Sequence, residues 1–158
     1  MFDNKRYAQA LVAFQRAGRT QEVAICHAFF LRENARAVPD DQVKKRACAF
    51  GEAGKAFSVC ANESPPQETK KRLSYYANAA DCFALGRRFK KAGDCFVHAE
   101  QYSKAARAYR EDGYFDEMVE VLEQHGRHIE ADLLAKLTKV AQMNYFKVCK
   151  PFYKGADR

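Results

Sequence analysis

The residues of this chain that could do chemistry are six cysteines and four histidines, side chains that serve as nucleophiles, general bases and metal ligands. Cys95 and His98 are spaced to share one face of a helix and could together hold a metal, but no second ligand pair completes a zinc site. Cys26 and His27 are adjacent, so on a helix they point in different directions and neither could easily activate the other. These spacings predict no metal site.

The other histidines do not form a catalytic arrangement. His125 and His128 flank Gly126 in a predicted turn, and no acid–base pair stands beside a nucleophile. A general base must lie within hydrogen-bond reach of the proton that it takes, and nothing in these spacings provides that geometry. The sequence therefore predicts a protein that is not an enzyme, with no catalytic, cofactor-binding or metal-binding residue and no cofactor.

The chain contains a repeat of 13 residues, and three consecutive copies of it begin at Phe89, Tyr102 and Phe115. Cys95, His98 and His125 lie within these copies. In each copy a small or flexible apolar residue follows the aromatic residue by three positions, and a small residue and then a large one follow it by six and seven. These positions share one face of a helix, so each copy predicts a short amphipathic helix and a tight turn. Stacked short helices form a solenoid, which usually works by holding a partner.

The pattern extends beyond these three copies. Tyr76 begins a copy one period earlier, Phe50 begins another two periods before that, and Tyr7 begins one near the start, while His128 opens a degenerate copy. Helices that shared this pattern by chance would not keep one phase over four consecutive copies. We therefore interpret most of the chain as one helical repeat.

Cysteine placement agrees with this interpretation. Cys60, Cys82 and Cys95 occupy small-residue positions of the repeat, so we expect them to be small buried hydrophobic residues. No CxxC pair is present, and the first residues lack the apolar stretch of a signal peptide, which together favour a cytoplasmic or nuclear location. No apolar run approaches the roughly 20 residues that a bilayer span requires, so no membrane partner is expected.

The predicted fold class is all-α, as a right-handed α-solenoid of about eight antiparallel helices in tetratricopeptide-like hairpins. Residues 62–66, Asn-Glu-Ser-Pro-Pro, form the clearest linker. We expect a helical-repeat domain over 1–148, with the loop 62–66 between two sub-blocks, and a C-terminal tail over 149–158. The predicted helices lie near 3–17, 20–35, 42–61, 67–85, 88–99, 101–111, 114–125 and 127–148, the last ending before Pro151.

The aromatic–Ala–Ala/Cys–aromatic cores resemble helical-repeat proteins of the tetratricopeptide-like group, over about two-thirds of the chain. The chain departs from the strict motif, since its period is 13 residues per helix and the Trp–Leu–Gly signature and the closing proline are missing. Short hairpins of this kind also resemble those of vesicle-coat and intraflagellar-transport solenoids. Residues 102–117 are similar to the helical tails of large fungal UvrD-type helicases, such as the tetratricopeptide-and-ankyrin-repeat protein. That resemblance implies a non-catalytic piece of a larger protein, and no GxxxxGK[ST] motor loop is present.

Charge is the second informative feature. The formal net charge is +7, and two basic clusters lie at the start of the third predicted helix and just after the fourth. If these helices are antiparallel neighbours, the clusters share one edge and could bind nucleic acid or an acidic peptide; alternatively, they only keep the surface solvated. The residues of this basic edge are Lys44, Lys45, Arg46, Arg87, Arg88, Lys90 and Lys91.

The last third contains a run of carboxylates. It is either a solvated acidic helix face or a contact point for a basic partner or for the basic tail of this chain. The acidic contact consists of Glu111, Asp112, Asp116, Glu117, Glu120 and Glu123.

The sequence as a whole predicts a non-catalytic protein-interaction or scaffold module, with a contact surface built from alternate helices. Its partner would be another protein or a domain of the same parent chain. The alternative is an accessory nucleic-acid-binding module of a helicase-like protein that uses the basic edge. The sequence does not predict an oligomeric state.

Overall fold

The structure is a computed structural model that describes the backbone of residues 4–153 and the side chains of residues 5–145. Over this part of the chain it is all-helical, and none of the described helices has the length and apolar composition needed to span a membrane. The elements are α1 (Asn4–Arg16), α2 (Thr20–Ala37), α3 (Val43–Glu63), α4 (Thr69–Leu85), α5 (Phe89–His98), α6 (Tyr102–Glu111), α7 (Phe115–His125), a 3₁₀ helix (Gly126–His128) and α8 (Ala131–Tyr153).

The helix bounds lie within a few residues of the predicted ranges, except at the last helix. This helix was expected to end before Pro151, but α8 continues to Tyr153. The expectation rested on the local conformational preference of the residue before a proline. A helix can pass through a proline, although this removes one backbone hydrogen bond and crowds the carbonyl four residues earlier, so the local preference was not decisive here.

The all-α class is confirmed, and the repeat positions explain the core. In the copies that begin at Tyr76, Phe89, Tyr102 and Phe115, the residues three, six and seven positions after the aromatic are all buried, whereas the leading aromatics are half-buried. The predicted burial of Cys60, Cys82 and Cys95 is also confirmed. The buried residues at these positions are Ala79, Cys82, Phe83, Ala92, Cys95, Phe96, Ala105, Ala108, Tyr109, Met118, Val121 and Leu122.

The degenerate copy at His128 does not continue this packing. His128 lies in the 3₁₀ helix and is exposed, and Ala131 at the next repeat position is exposed as well. Ile129 and Leu137 are buried instead. The register of the repeat therefore ends with α7, and α8 packs by a different pattern.

One turn recurs after α1, α4, α5 and α6. In each, a residue with positive φ is followed by an N–H that donates to the carbonyl of the aromatic five residues earlier, at 2.8–3.0 Å. This bond belongs to the Schellman turn that satisfies terminal carbonyls of a helix. The residues with positive φ are Gly18, Arg87, Glu100 and Gly113. The donor and acceptor pairs are Arg19 and Phe14, Arg88 and Phe83, Gln101 and Phe96, and Tyr114 and Tyr109.

These turns also begin the following helix. After α5, the carbonyl of Gln101 accepts the N–H of Ala105 at 3.0 Å, so one residue closes α5 and opens α6. The N–H groups of all three residues between α5 and α6 donate to carbonyls of α5, so this turn has no unpaired N–H that a longer connection would leave room for. Arg87 and Glu100 adopt the left-handed conformation without being glycine, at a cost of about 1 kcal/mol each.

Helices also meet through close fits between glycine and an aromatic ring. A Cβ built on Gly93 of α5 would lie 2.5 Å from the ring of Tyr109 of α6, and one on Gly54 of α3 would lie 2.8 Å from the ring of Phe83 of α4. Tyr109 is also anchored, because its hydroxyl donates a 2.6 Å hydrogen bond to Asp94. Both glycines hold the same repeat position, one residue after the first small position, so the fit repeats along the chain.

Three contacts also join a helix to the one after its neighbour. The Arg32 guanidinium of α2 donates to the side-chain oxygen of Asn78 of α4, at 2.7 Å. The Ser58 hydroxyl of α3 lies 3.7 Å from the Cys95 sulfur of α5. In the same way Lys90 of α5 reaches Glu117 of α7 at 3.0 Å. These contacts place α3 and α5, and α5 and α7, side by side and so position the surfaces described next.

Candidate functional site

The two basic clusters predicted from the sequence lie next to each other. Arg46 of α3 and Arg87 of the turn after α4 line one surface cavity of about 290 Å³, together with Asp40 and Leu85. Close backbone packing holds this edge together, since a Cβ on Gly86 would lie 2.9 Å from the carbonyl oxygen of Ala47. The cavity therefore brings the start of α3 against the turn between α4 and α5.

Several cations of this edge are already engaged. Arg46 pairs with Asp40 and lies over the ring of Phe50, and the guanidinium of Arg88 packs against Gly51.

Lys90 pairs with Glu117, and this hydrogen bond raises the pKa of Lys90 and lowers that of the carboxyl. Lys91 lies 5.9 Å from the centre of the Phe83 ring. The exposed cations of the edge with neither an ion pair nor a ring contact among the described residues are Lys44, Lys45 and Arg87.

The predicted acidic contact divides into two parts. Glu111 and Asp112 are exposed at the end of α6, whereas the other four carboxylates lie along α7. These four line a groove between α7 and α8, which Glu111 and Asp112 do not. The four carboxylates of the groove are Asp116, Glu117, Glu120 and Glu123.

The α7–α8 groove itself was not predicted. It consists of two adjoining cavities of about 580 and 610 Å³, which share Val119, Glu123, Ala141 and Tyr145. Leu122 and Leu134 complete its apolar floor, and Tyr145 leaves 68% of its surface exposed. The apolar character of the C-terminal residues was the only sequence signal for it, because the groove depends on α8 packing out of register with the repeat.

A second groove lies between the alternate helices α3 and α5, with a volume of about 520 Å³. Val59, which is 48% exposed, lies in it near Lys55, Lys91 and His98. The sequence predicted a contact surface built from alternate helices, and the α3–α5 groove lies between two such helices, but neither this pair of helices nor the residues of the groove were predicted.

Several cysteine and histidine side chains among the described residues are engaged in packing. No group of three or more His, Cys, Asp or Glu side chains among them is placed to hold a metal ion. Burial raises the pKa of the Cys82 thiol to about 11 and also raises those of Cys60 and Cys95, which disfavours the nucleophilic thiolate. His98 stacks on Tyr76, with the ring centres 4.9 Å apart.

His125 makes a similar contact. Its ring stacks on Tyr102, with the ring centres 3.8 Å apart, so this histidine contributes to the packing of α6 against α7. Cys149 lies outside the residues whose side chains are described.

Comparison with protein-family models, with curated proteins and with solved structures gives no match. The class of this protein is therefore defined by its own geometry, which is that of an all-helical chain with a 13-residue packing period and open grooves between helices.

Proposed function

We propose that this protein is a non-catalytic interaction or scaffold module that binds another protein or another domain of its own parent chain. The observation that carries the proposal is the α3–α5 groove, an open surface between alternate helices with the partly exposed apolar Val59 among polar groups. Grooves that mix apolar and polar groups are typical of protein-binding surfaces.

The architecture in this proposal is a right-handed α-solenoid of antiparallel hairpins, in the tetratricopeptide-like group. Two kinds of contact support it. Tyr102 at the start of α6 meets His125 at the end of α7, as expected of antiparallel neighbours, and Ser58 of α3 meets Cys95 of α5, as expected of stacked hairpins. The helical tail of a UvrD-type helicase is one parent protein that would use such a module.

Site-specific photo-crosslinking tests the interaction proposal. A photoreactive phenylalanine analogue at Val59 should give discrete adducts with a protein in extracts of the cells that make this chain, and nuclease treatment should not remove them. The matched control carries the same analogue at Glu100, an exposed turn residue that lines none of the grooves. Adducts that are absent at Val59, or identical at both positions, would contradict the proposal.

The second candidate function is nucleic-acid binding at the basic edge. It is favoured by the cavity that Arg46 and Arg87 share, and it would suit a cytoplasmic or nuclear protein. Replacing Lys44, Lys45 and Arg87 with glutamate should then abolish binding to labelled single- and double-stranded DNA or RNA, because phosphate contacts dominate such affinity. For each phosphate of double-stranded DNA that a milder single variant no longer binds, the slope of log affinity against log salt should decrease in magnitude by about 0.9.

The control for this titration reverses three exposed cations away from the basic edge, Lys70, Arg107 and Lys136. Equal loss in both triple variants would indicate only a general charge effect. No binding by the unaltered protein even at low salt would exclude this second function and leave the interaction proposal in place.

A further inference from the structure

We infer that the α7–α8 groove binds a positively charged amphipathic helix of a partner protein. This inference rests on the proposed protein-binding function and names the chemistry of the partner at one site. It is carried by three properties of the groove, which are its apolar floor, its length and the charge along one wall.

The floor of the groove is apolar and partly open. Val119 and Leu134 are half-buried, Leu122 is buried and Tyr145 is largely exposed. Apolar side chains of a partner would remove this surface from water at roughly 25 cal/mol for each Å² buried. The polar residues that line the groove from α8 are neutral, and they are Thr138, Gln142 and Asn144.

The length of the groove suits a helix. The α7 wall consists of 11 residues, which is about 16 Å at the helical rise per residue. A partner helix of about three turns would match it and would present apolar residues at i, i+3 or i+4, and i+7.

The charge on the α7 wall selects a basic partner. Asp116, Glu120 and Glu123 are spaced by four and three residues, so they share one face of the helix. The fourth carboxylate of the wall, Glu117, is neutralised by Lys90. No described cation pairs with Asp116, Glu120 or Glu123, although Glu120 accepts a hydrogen bond from Gln124 at 3.0 Å.

Like charges at this spacing destabilise an isolated helix by about 0.2–0.5 kcal/mol per pair. The lysines of α8 whose side chains are described, Lys136 and Lys139, do not line the groove and so do not offset the repulsion. Lysine or arginine side chains flanking the apolar stripe of a partner would supply positive charge that no described residue supplies there and would set the orientation of the partner.

The probe is a fluorescein-labelled helical peptide with a leucine stripe flanked by lysines, and its acidic counterpart has every lysine replaced by glutamate. Fluorescence anisotropy with the full chain should show binding of the basic peptide only. The Glu120→Lys and Glu123→Lys double variant should weaken binding at least about tenfold. Tyr145→Ser should weaken it as well, because it removes apolar floor without touching a charge.

The matched control is the Glu111→Lys and Asp112→Lys double variant, which makes the same change of charge in the acidic contact but outside the groove. It should change the affinity by less than about threefold, since exposed charges beyond the contact are screened by salt. Equal loss in both double variants, or equal binding of the acidic peptide, would overturn the inference.

Two other occupants of the groove would also overturn it. If a second copy of this chain occupied the groove, sedimentation would show self-association, and the Glu120→Lys and Glu123→Lys double variant would abolish it. The chain's own basic terminus would appear as peptide affinity that rises when Lys154 and Arg158 are replaced with glutamate. If the peptide fails to bind while the crosslinker at Val59 still gives its adducts, this inference falls and the proposed function stands; if both fail, both fall.

Discussion

Replacing Ala105 with aspartate should destabilise the protein by about 3–5 kcal/mol, because it leaves a carboxylate buried without a partner. Ala105 is 0% exposed in α6 and belongs to the continuous core. Total stabilities of domains this size are about 5–15 kcal/mol, so much of the variant should be unfolded near physiological temperature. Thermal or urea unfolding followed by circular dichroism measures the change.

The control for this substitution is Ala135→Asp in α8, where the alanine is exposed. It introduces the same charge into a helix and should cost only the difference in helix propensity, about 0.7 kcal/mol or less. Similar melting temperatures for Ala105→Asp and the unaltered protein would show that the repeat positions do not face the core.

Replacing Gly93 with alanine should destabilise the protein by about 2 kcal/mol, although alanine normally gains about 1 kcal/mol over glycine inside a helix. The new Cβ would lie 2.5 Å from the Tyr109 ring, and that ring is held by burial and by its hydrogen bond to Asp94. Overpacking of this kind typically costs about 1–3 kcal/mol. The melting temperature should fall by about 4–8 °C.

Gly126→Ala is the matched control, because its Cβ would meet nothing closer than Leu134 at 3.7 Å and its backbone is helical. This variant should be as stable as the original protein or more so. In a variant that combines Gly93→Ala with Tyr109→Leu, the loss of unfolding free energy should be smaller than the sum of the losses of the two single variants, since the smaller leucine side chain leaves room for the new Cβ. A Gly93→Ala protein that is more stable than the original would contradict the close fit between Gly93 of α5 and the Tyr109 ring of α6.

Much of the fold was predictable because the periodicity of apolar residues reports directly on burial. The positions after Phe89, Tyr102 and Phe115 that the repeat assigns to the core are buried, and α5, α6 and α7 begin at those three aromatics. The pattern could not predict the role of Gly93. This position must lack a side chain because the ring of Tyr109, which is 16 positions away in sequence, packs against its Cα. The positive φ of Arg87 and Glu100 was equally hidden, since neither residue type favours it.

The candidate sites were predictable only as sets of charges. The sequence placed the acidic residues on one short hairpin, but only the structure separates Glu111 and Asp112 from the four carboxylates that line the α7–α8 groove. It also shows that Lys90 and Glu117, assigned to opposite sets, neutralise each other at 3.0 Å. Contacts between helices that are not consecutive follow from packing, and linear charge patterns do not report them.

The turn that closes one helix and opens the next has a consequence for how this chain can change in length. Because Gln101 ends α5 and begins α6 with no residue to spare, an insertion of one or two residues would rotate the apolar face of the following helix away from its neighbours. A segment of 13 residues could be added or removed while each buried position keeps its place. Duplication of whole units would therefore preserve the packing, whereas small insertions should be tolerated only in connections such as residues 64–68, between the end of α3 and the start of α4.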